Sequence, residues 1–329
     1  MTATVRLGVI GTNFISDNLA EAVSLCEGVC ISAVYSRRAE TAKAFAKKHG
    51  IENTYTDMEA FLASDIDAVY VASPNALHGK QSLWALRAGK HVLCEKPLVA
   101  SPAEFAALEQ AALENKRVLL EAMRPAFDPA WDVIEKALPR LGRLRRVQLE
   151  FRQYSSRYDR FRQGEVLNAF DPSLANAALM DIGVYPLYMC LKLFGMPEEV
   201  QSSSVFLENG MEGEGTVLLS YGDMQAVIAY SKITASVYPS LFVGEDATLI
   251  VDKISTPLHA EILYRDGRRE TVLDGGVKNN MVYELKELVR LIRSGETGHP
   301  HLTCSAMETE LIAQIRRKSG IRFYEGEQL

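Results

Sequence analysis

The sequence predicts an α/β protein that contains two different sheets, the first parallel and the second mostly antiparallel. From residue 5 to about residue 121, short β-branched runs alternate with amphipathic segments, which is typical of parallel strands joined by helices. After residue 124, longer alternating runs follow one another with hairpin signals between them, such as Asp266-Gly267. The 329 residues are enough for two domains of ordinary size.

The first half is predicted to be a doubly wound sheet with helices on both faces. Its strands are predicted near residues 5–10, 29–35, 67–72, 91–94 and 117–121, and its helices near residues 14–25, 39–48, 77–88 and 102–115. These elements predict a first domain over residues 1–123.

The second half is predicted to be a mostly antiparallel sheet covered by helices. Its strands are predicted near residues 144–154, 216–221, 225–231, 248–252 and 260–273, and its helices near residues 130–138, 187–194, 281–293 and 303–318. These elements predict a second domain over residues 124–329.

Composition excludes several classes of protein. The formal charge of -6 gives no reason to expect nucleic-acid binding. The five cysteines are spread widely and lack a C-x-x-C spacing, so we expect neither a disulfide framework nor a metal site. The N-terminus does not read as a signal peptide, and no apolar run approaches the roughly 18 residues that span a bilayer. We therefore expect a cytoplasmic protein with no membrane partner.

The turn after the first strand, "GVIGTNFIS" over residues 8–16, resembles a dinucleotide-binding turn that has lost glycines. Gly11 is retained, whereas Asn13 and Ser16 occupy positions where glycine and a small residue are usual. Asparagine adopts left-handed backbone more readily than other non-glycine residues, so we expect Asn13 in that conformation. Backbone N–H groups at the following helix would hold a pyrophosphate. The alternative is an ordinary strand-to-helix turn.

The end of the second strand carries the residues that discriminate between the two nicotinamide dinucleotides. An acidic residue there would bind the ribose 2′-hydroxyl of NAD, but this chain has Ser36, Arg37 and Arg38. Guanidinium groups suit a 2′-phosphate, so the sequence favours NADP over NAD. The alternative is a solvated helix start with two surface arginines.

Five blocks in a fixed order carry a family resemblance. They are "AGKHVLCEKPLV" (88–99), "SPNALH" (73–78), "EAM" (121–123), "LMDIGVYPL" (179–187) and "LFG" (193–195). With them the chain resembles the glucose-fructose oxidoreductase and inositol dehydrogenase family (Gfo/Idh/MocA), and within it the branch of dimeric dihydrodiol dehydrogenases.

The resemblance implies an NAD(P)-dependent oxidoreductase that acts on a CH–OH group of a sugar, polyol or cyclic diol. It implies a Rossmann doubly wound parallel sheet followed by an α+β domain whose large, mostly antiparallel open sheet binds substrate and often forms a homodimer or higher homo-oligomer. With the residue patterns above, it places the cofactor along Gly11, Thr12, Asn13, Phe14, Ile15, Ser36, Arg37, Arg38, Ser73, Pro74, Asn75, His78, Glu95 and Lys96.

Lys96 is the first candidate catalytic residue. A lysine at the carboxyl end of a parallel strand points into the crevice where such sheets bind ligands. Desolvation beside an oxidised nicotinamide favours the neutral amine, which can relay the hydroxyl proton while hydride moves to the ring. The family also implies a cis Lys96-Pro97 peptide bond. The alternative is a surface lysine that closes a strand.

Asp181 and Tyr185 are the other candidate catalytic residues, in the D-x-G-x-Y pattern of the dihydrodiol branch. At a spacing of four residues they would share one face of a helix, with Tyr185 as general acid/base and Asp181 holding the substrate hydroxyl or orienting Lys96. Pro186 conflicts with a continuous helix here, so the helix is expected to start or kink. The alternative is a helix cap beside a packed tyrosine.

Other features fit the family less well or suggest other roles. Ala175, Asn176 and Ala177 replace glycines that usually precede the aspartate, and Arg124 lies two positions before the arginine of the related motif. Asn75 is expected to cap a helix, with His78 on the loop after the third strand, where it shapes the nicotinamide pocket.

Two further clusters have a functional and a structural interpretation. The eight arginines between residues 140 and 162 suggest either a phosphorylated substrate or, as we favour, the polar face of an edge strand followed by a solvated loop. His299 and His301 resemble a metal pair without a third ligand, and we favour a loop between two helices as the role of this segment. A catalytically silent NAD(P)-binding sensor on the same fold is the alternative function.

Overall fold

The computed structural model describes residues 4–324 and residue 327, which divide into two compact units. The first unit contains the described residues up to Met123 together with Asn279–Ser305. The second unit contains Arg124–Lys278 and the described residues from Ala306 onward. One unit has a parallel sheet and the other a mostly antiparallel one, so the predicted fold class is confirmed. The division of labour between a cofactor domain and a substrate domain stays a prediction.

The first unit contains six parallel strands in the order β3-β2-β1-β4-β5-β6, the order of a Rossmann sheet. The order in the chain is β1 (Val5–Ile10), α1 (Phe14–Ser24), β2 (Val29–Tyr35), α2 (Ala39–His49), β3 (Asn53–Tyr55), α3 (Met58–Ala63), β4 (Ala68–Val71), α4 (Asn75–Arg87), β5 (His91–Glu95), α5 (Pro102–Asn115) and β6 (Leu119–Ala122). The sequence missed β3 and α3 because they are only three and six residues long, too short for a periodic signal.

The first unit also takes in a helix that the sequence assigned to the second domain. The helix α9 (Met281–Ser294) buries Leu285 and Leu288 and packs against α1. Just before the helix, the Asn279 amide donates a hydrogen bond to the Asn18 carbonyl at 2.9 Å. Within its first turn, the Val282 carbonyl accepts a hydrogen bond from the Cys26 thiol. A segment from near the end of the sequence, Asn279–Ser305, therefore forms part of the first unit.

The second unit contains eight strands in the order β14-β13-β12-β11-β7-β10-β9-β8. These are β7 (Leu144–Arg152), β8 (Glu199–Phe206), β9 (Glu212–Tyr221), β10 (Met224–Ser231), β11 (Ser240–Gly244), β12 (Ala247–Val251), β13 (His259–Tyr264) and β14 (Arg269–Asp274). In the described part of the chain, β7 and β10 pair in parallel and the other neighbours are antiparallel. The sequence missed β8 and β11.

The arginine-rich strand β7 is an interior strand, so its prediction as an edge strand is wrong. It pairs with β10 on one side and β11 on the other. Its alternation has a different cause: Val147 and Leu149 face the core, while Arg146 and Gln148 face outward. Across the sheet, Val147 lies opposite Ala226 and Phe242, both buried, so one face of the sheet forms the core.

Helices complete the second unit, and the last of them begins in the segment that belongs to the first unit. They are α6 (Pro129–Ala137), α7 (Tyr158–Arg162), α8 (Val184–Phe194) and α10 (Pro300–Ser319). The sequence missed α7, which is five residues long.

An irregular turn precedes α8 and resolves the conflict at Pro186. Residues Leu179–Gly183 form a π-helical turn, in which the Val184 N–H donates to the Leu179 carbonyl five residues earlier. Pro186 lies in the first turn of α8, immediately after this change of winding. A proline ring clashes with the carbonyl four residues earlier only in regular α-geometry, so the π turn lets the helical stretch continue through Pro186.

The position where Ala175 replaces an expected glycine is strained. Ala175 has φ 57° and ψ 38°, the left-handed conformation that favours glycine. For a residue with a Cβ this conformation costs about 1 kcal/mol. The backbone before Asp181 therefore keeps the glycine-like path although the sequence has lost the glycine.

One apolar stretch is longer than the sequence analysis expected. Pro172–Phe194, 23 residues with a mean hydropathy of 1.4 in its most apolar window, passes a length and composition test for a membrane span. The expectation that no run approaches this length is therefore wrong. Of that window, 78% is buried inside the protein, which is typical of the core helix of a soluble protein.

Candidate active site

The turn after β1 requires glycine at one position. Gly11 has φ 103°, and a Cβ there would lie 2.4 Å from the Ala72 carbonyl oxygen at the end of β4. Ser16 is fully buried, and its hydroxyl donates to the Gly11 carbonyl at 3.1 Å. The retained glycine and the small serine therefore serve close packing between the turn, α1 and β4. Thr12, Phe14 and Ile15 lie on the same turn, where Phe14 is 61% exposed.

Asn13 does not adopt the left-handed conformation that the sequence analysis expected. Its φ is -90°, and its side chain caps α1, with Oδ1 accepting from the N–H groups of Ile15 at 3.0 Å and Ser16 at 3.3 Å. Its Nδ2 donates to the Ala72 carbonyl at 2.9 Å. The side chain thus joins the turn to the end of β4, and two first-turn amides of α1 are already capped by the protein itself.

The turn after β2 presents two exposed guanidinium groups. The Ser36 hydroxyl lies 2.6 Å from the Thr41 hydroxyl and accepts from the Arg38 N–H at 3.4 Å, which fixes the start of α2. Arg37 and Arg38 are exposed, and among the described residues neither guanidinium has an ion-pair partner. Both charges are therefore available to a 2′-phosphate.

The helix after β4 begins at Asn75, one residue earlier than it would if Asn75 were the cap. Pro74 occupies the cap position of α4, and Asn75 is its first helical residue, so the prediction of Asn75 as the cap is wrong. His78 lies within α4 and not on a loop. Its Nε2 lies 2.8 Å from the Ser73 carbonyl, and its Nδ1 lies 2.8 Å from the Pro97 carbonyl.

His78 connects the Ser73 segment to the turn that carries Lys96. The ring is 1% exposed, and burial lowers the pKa of His78 below its ordinary value of 6.5. The neutral ring has a single N–H, so it donates to one of the two carbonyls at neutral pH. The residue therefore holds the backbone of the site together and does not act as a proton donor to solvent.

The turn that carries Lys96 follows β5 and is held by contacts with the peptide group that follows its proline. The Lys96-Pro97 peptide bond is cis, as the resemblance implies. Beyond Pro97, the Leu98 N–H donates to Glu121 Oε1 at 2.8 Å, and Glu121 Oε2 accepts from the Ser305 hydroxyl at 2.6 Å. Glu95, the last residue of β5, is buried and accepts a hydrogen bond from the Tyr70 hydroxyl.

In the second unit, the π turn presents Asp181 and α8 presents Tyr185. The Asp181 side chain is 41% exposed, and its Oδ2 lies 2.9 Å from Lys232 Nζ. Tyr185 is 6% exposed, and its ring centroid lies 5.5 Å from that of Phe151. Because the winding changes between them, the two residues do not have the regular four-residue helical spacing that the sequence analysis assumed.

Comparison with known proteins decides the family. A model of the oxidoreductase family with an NAD-binding Rossmann fold matches residues 5–123, and a model of the GFO/IDH/MocA C-terminal domain matches residues 138–251. The chain belongs to the Gfo/Idh/MocA family. The predicted family, the nicotinamide dinucleotide cofactor and the oxidoreductase class are thereby confirmed.

Individual members of the Gfo/Idh/MocA family match nearly the whole chain. The scyllo-inositol 2-dehydrogenase (NADP(+)) of Bacillus subtilis strain 168 is 43% identical over 320 residues, which cover 96% of this chain and 98% of that protein. The trans-1,2-dihydrobenzene-1,2-diol dehydrogenase of Sus scrofa is 27% identical over 340 residues, with 97% and 98% covered. A solved structure of a 3-ketoreductase from Actinomadura kijaniata, in complex with NADP and TDP-benzene, has the same fold. It matches with a TM-score of 0.87 at 24% identity, and the match covers 96% of this chain and 98% of that chain.

Two buried charged residues of this Gfo/Idh/MocA chain were missed by the sequence analysis. Lys232 follows β10 directly, and its side chain is 2% exposed. Glu212 begins β9 and is 1% exposed, and its Oε2 accepts from the Leu179 N–H at 2.8 Å, at the start of the π turn. A charged residue adjoining an apolar strand was the available signal for both.

Glu121 was missed as a site residue for a different reason. It lies in the block "EAM", which carried the resemblance but was given no chemical role. Its carboxylate is 3% exposed and bridges the Leu98 amide and the Ser305 hydroxyl.

The arginine-rich segment and the histidine pair are explained by structural contacts. Most of the arginines form ion pairs on the surface, with partners that include Glu270 for Arg140 and Glu165 for Arg160. His299 lies 3.1 Å from the Leu119 carbonyl through Nε2 and accepts from the Leu302 N–H through Nδ1 at 3.2 Å. In the described ranges, no group of three or more His, Cys, Asp or Glu side chains is arranged to hold a metal ion.

Glu212 predicts a specific pH dependence of stability. Burial raises the pKa of Glu212 from 4.5 to about 7, so the folded state favours the protonated form. The contribution of Glu212 to the free energy of unfolding is then fully present below its ordinary pKa. It is lost as the pH rises through about 7, which lowers the free energy of unfolding by up to about 3 kcal/mol. Glu212→Gln is always neutral and keeps an acceptor for Leu179, so it should lose this dependence.

Calorimetric unfolding at about pH 5.5 and about pH 8 measures the effect. The fall in melting temperature between the two should be smaller for Glu212→Gln than for the wild type. Glu208→Gln, at an exposed position two residues beyond β8, is the matched control and should behave as the wild type. An identical fall in Glu212→Gln and the wild type would show that Glu212 does not titrate in this range.

Proposed function

We propose that this protein is an NADP-dependent dehydrogenase or reductase of a secondary alcohol or carbonyl group in a polyol, sugar or cyclic diol. The observation that carries the proposal is the turn after β5, where His78 and Glu121 contact the two ends of the Pro97–Leu98 peptide group, directly after Lys96. The activity named for the Bacillus subtilis relative supports an inositol as the first substrate to test.

The chemistry divides between the cofactor and the side chains of this chain. When bound, the nicotinamide supplies the hydride acceptor or donor. Lys96 and Tyr185 are the candidate groups for transfer of the hydroxyl proton, and Asp181 is the candidate acceptor of a hydrogen bond from a substrate hydroxyl. The exposure of the Asp181 side chain, 41%, supports its contact with a substrate hydroxyl.

Cofactor choice follows from the turn after β2. Arg37 and Arg38 are exposed, whereas the Ser36 hydroxyl is engaged with Thr41. A 2′-phosphate carries charge that both guanidinium groups complement, and no carboxylate stands at this turn to bind the 2′-hydroxyl of NAD. The NADP preference in the name of the Bacillus subtilis relative agrees with this proposal.

Arg37→Ala tests the choice of cofactor. Because a hydrogen bond to a charged group contributes about 1.5–3 kcal/mol, the dissociation constant of NADPH should rise by roughly tenfold or more. That of NADH should not change. Fluorescence titration measures both, and Arg87→Ala, an exposed arginine at the end of α4, is the control. Equal affinity of the wild type for NADPH and NADH, or an unchanged preference in Arg37→Ala, contradicts the assignment.

Lys96→Ala tests the proton-transfer role. Loss of a general acid/base typically costs about 10²–10⁴-fold in rate, so turnover of scyllo-inositol with NADP should fall by at least about 10²-fold while NADPH still binds. Absorbance of NADPH measures turnover, and Lys80→Ala, an exposed lysine on α4, is the control. Full turnover by Lys96→Ala would disprove the mechanism.

The sensor alternative makes a different prediction in the same assays. A panel of inositols, sugars and cyclic diols distinguishes the two, because a sensor would bind NADPH tightly and turn over none of them. Turnover of any member of the panel supports the enzyme.

The outer face of the eight-stranded sheet supports assembly into a homodimer or higher homo-oligomer. Half-exposed apolar side chains lie across its middle strands: Leu218, Val227, Leu241, Ile250 and Leu263. Gln148 of β7 separates Val227 from Leu241 on this face, so the apolar side chains form two groups, and exposed apolar groups of this kind are typical of an interface. Sedimentation equilibrium that returns only the monomer mass would contradict it. The cytoplasmic location and the expected lack of nucleic-acid and membrane partners stay predictions.

A further inference from the structure

Lys232 is a buried cation that the proposed chemistry does not use. Its side chain is 2% exposed, and lysine is almost never buried to that degree unless it is paired. Its ammonium donates to the Ala169 carbonyl at 2.7 Å, lies 2.9 Å from Asp181 Oδ2, and stands 5.0 Å from the centre of the Phe170 ring. The charge is therefore satisfied by one carboxylate and by groups that surround it.

The position of the ammonium is set by the fold and not by Asp181. The Lys232 N–H donates to the Gly213 carbonyl at 2.9 Å, so the residue extends the base of the β9–β10 hairpin. Ala169 and Phe170 belong to a short 3-10 turn, and Phe170 is itself fully buried and stacked on Tyr158 and Phe161. Asp181, in contrast, has a side chain that is 41% exposed.

The two ends of this ion pair are thus unequal. Lys232 is fixed inside the protein, and Asp181 reaches it from the surface of the π turn. A buried charge that loses its partner is strongly unfavourable, so the pair favours the ionised form of Asp181 and one orientation of its carboxylate.

We propose that Lys232 is the positioning residue of Asp181. It holds Oδ2 inward and keeps the carboxylate ionised, so that the exposed part of Asp181 accepts a hydrogen bond from a substrate hydroxyl. The inference rests on the proposed function, since it concerns the same carboxylate. It adds a residue that touches neither substrate nor cofactor and that acts only through Asp181.

Other ionisable groups lie on the elements packed against the π turn and must be separated from this effect. They are Glu212 on β9, Tyr230 on β10, Tyr185 on α8, and the pair of Glu150 and Arg152 on β7. Burial raises the pKa of Glu212 to about 7, so Glu212 also titrates near neutral pH. A pH profile recorded in a Glu212→Gln background removes this contribution.

The test compares steady-state kinetics of Lys232→Met, Lys232→Arg and the wild type across pH, with scyllo-inositol and NADP. An opposite charge within 4–6 Å shifts a carboxyl titration by about 1–3 units, so Lys232→Met should move the acidic limb of kcat/KM upward by about one unit or more. KM for the substrate should rise at least about tenfold at neutral pH, while NADPH affinity stays unchanged. Lys232→Arg keeps the charge and should restore the position of the limb.

A matched control separates this role from ordinary packing. Lys192 is also a lysine of the second unit whose ammonium donates to a backbone carbonyl, that of Ala126 at 2.9 Å. Lys192→Met should leave KM and the acidic limb unchanged. If Lys232→Met does not fold, Lys232→Gln, which keeps a donor toward Ala169 but lacks the charge, takes its place with the same expected shift.

Asp181→Asn distinguishes failure of this inference from failure of the proposed function. If Asp181→Asn leaves KM and kcat unchanged, the proposed role of Asp181 is wrong. If Asp181→Asn impairs turnover but folded Lys232→Met and Lys232→Gln keep the wild-type KM and pH profile, only the positioning role is wrong. In the Asp181→Asn background, Lys232→Met should produce no further shift of the limb, and an undiminished effect there would overturn the inference.

Discussion

The candidate catalytic lysine depends on a backbone turn that is held by two buried side chains. His78 contacts the Pro97 carbonyl, and Glu121 accepts from the Leu98 N–H, so both ends of the peptide group that follows the proline ring are fixed. Both side chains are almost fully buried, where a polar group that loses its partner is costly. The backbone directly after Lys96 is therefore fixed by buried side chains of α4 and β6.

The second unit uses the same physical device on a helix. Glu212 accepts from the Leu179 N–H at the start of the π turn, and Lys232 pairs with Asp181 in its middle. Both supporting residues lie at the open end of one hairpin, β9–β10. In each unit, a candidate functional group is held by polar or ionisable side chains that are almost fully buried. Buried residues around a site can fix its geometry in this way.

Sequence reasoning found the parts of this molecule that have a periodic signal or a distinctive motif. The strands β1, β2, β7 and β10 and the long helices follow from alternation and helical spacing, and Lys96 follows from its motif. It could not find Glu212 and Lys232, because a single charged residue beside an apolar run looks the same whether it is solvated or buried. Only the pairing of β9 with β10 brings them beneath Leu179 and Asp181. The same limit applied to β7, whose arginines suggested an edge although the strand lies inside the sheet.

Asn13 shows why a missing glycine in a nucleotide-binding turn need not mean a missing function. Gly11 is required because a Cβ would collide with the Ala72 carbonyl, whereas position 13 has φ -90° and accepts any residue. At this position the Asn13 side chain holds the turn in place. It caps α1, and it donates a hydrogen bond to the Ala72 carbonyl oxygen, the same atom that excludes a side chain at Gly11. One oxygen at the end of β4 thus sets both requirements. Gly11 and Asn13 thus both allow the turn after β1 to lie close to the end of β4, Gly11 by having no side chain and Asn13 by forming a hydrogen bond.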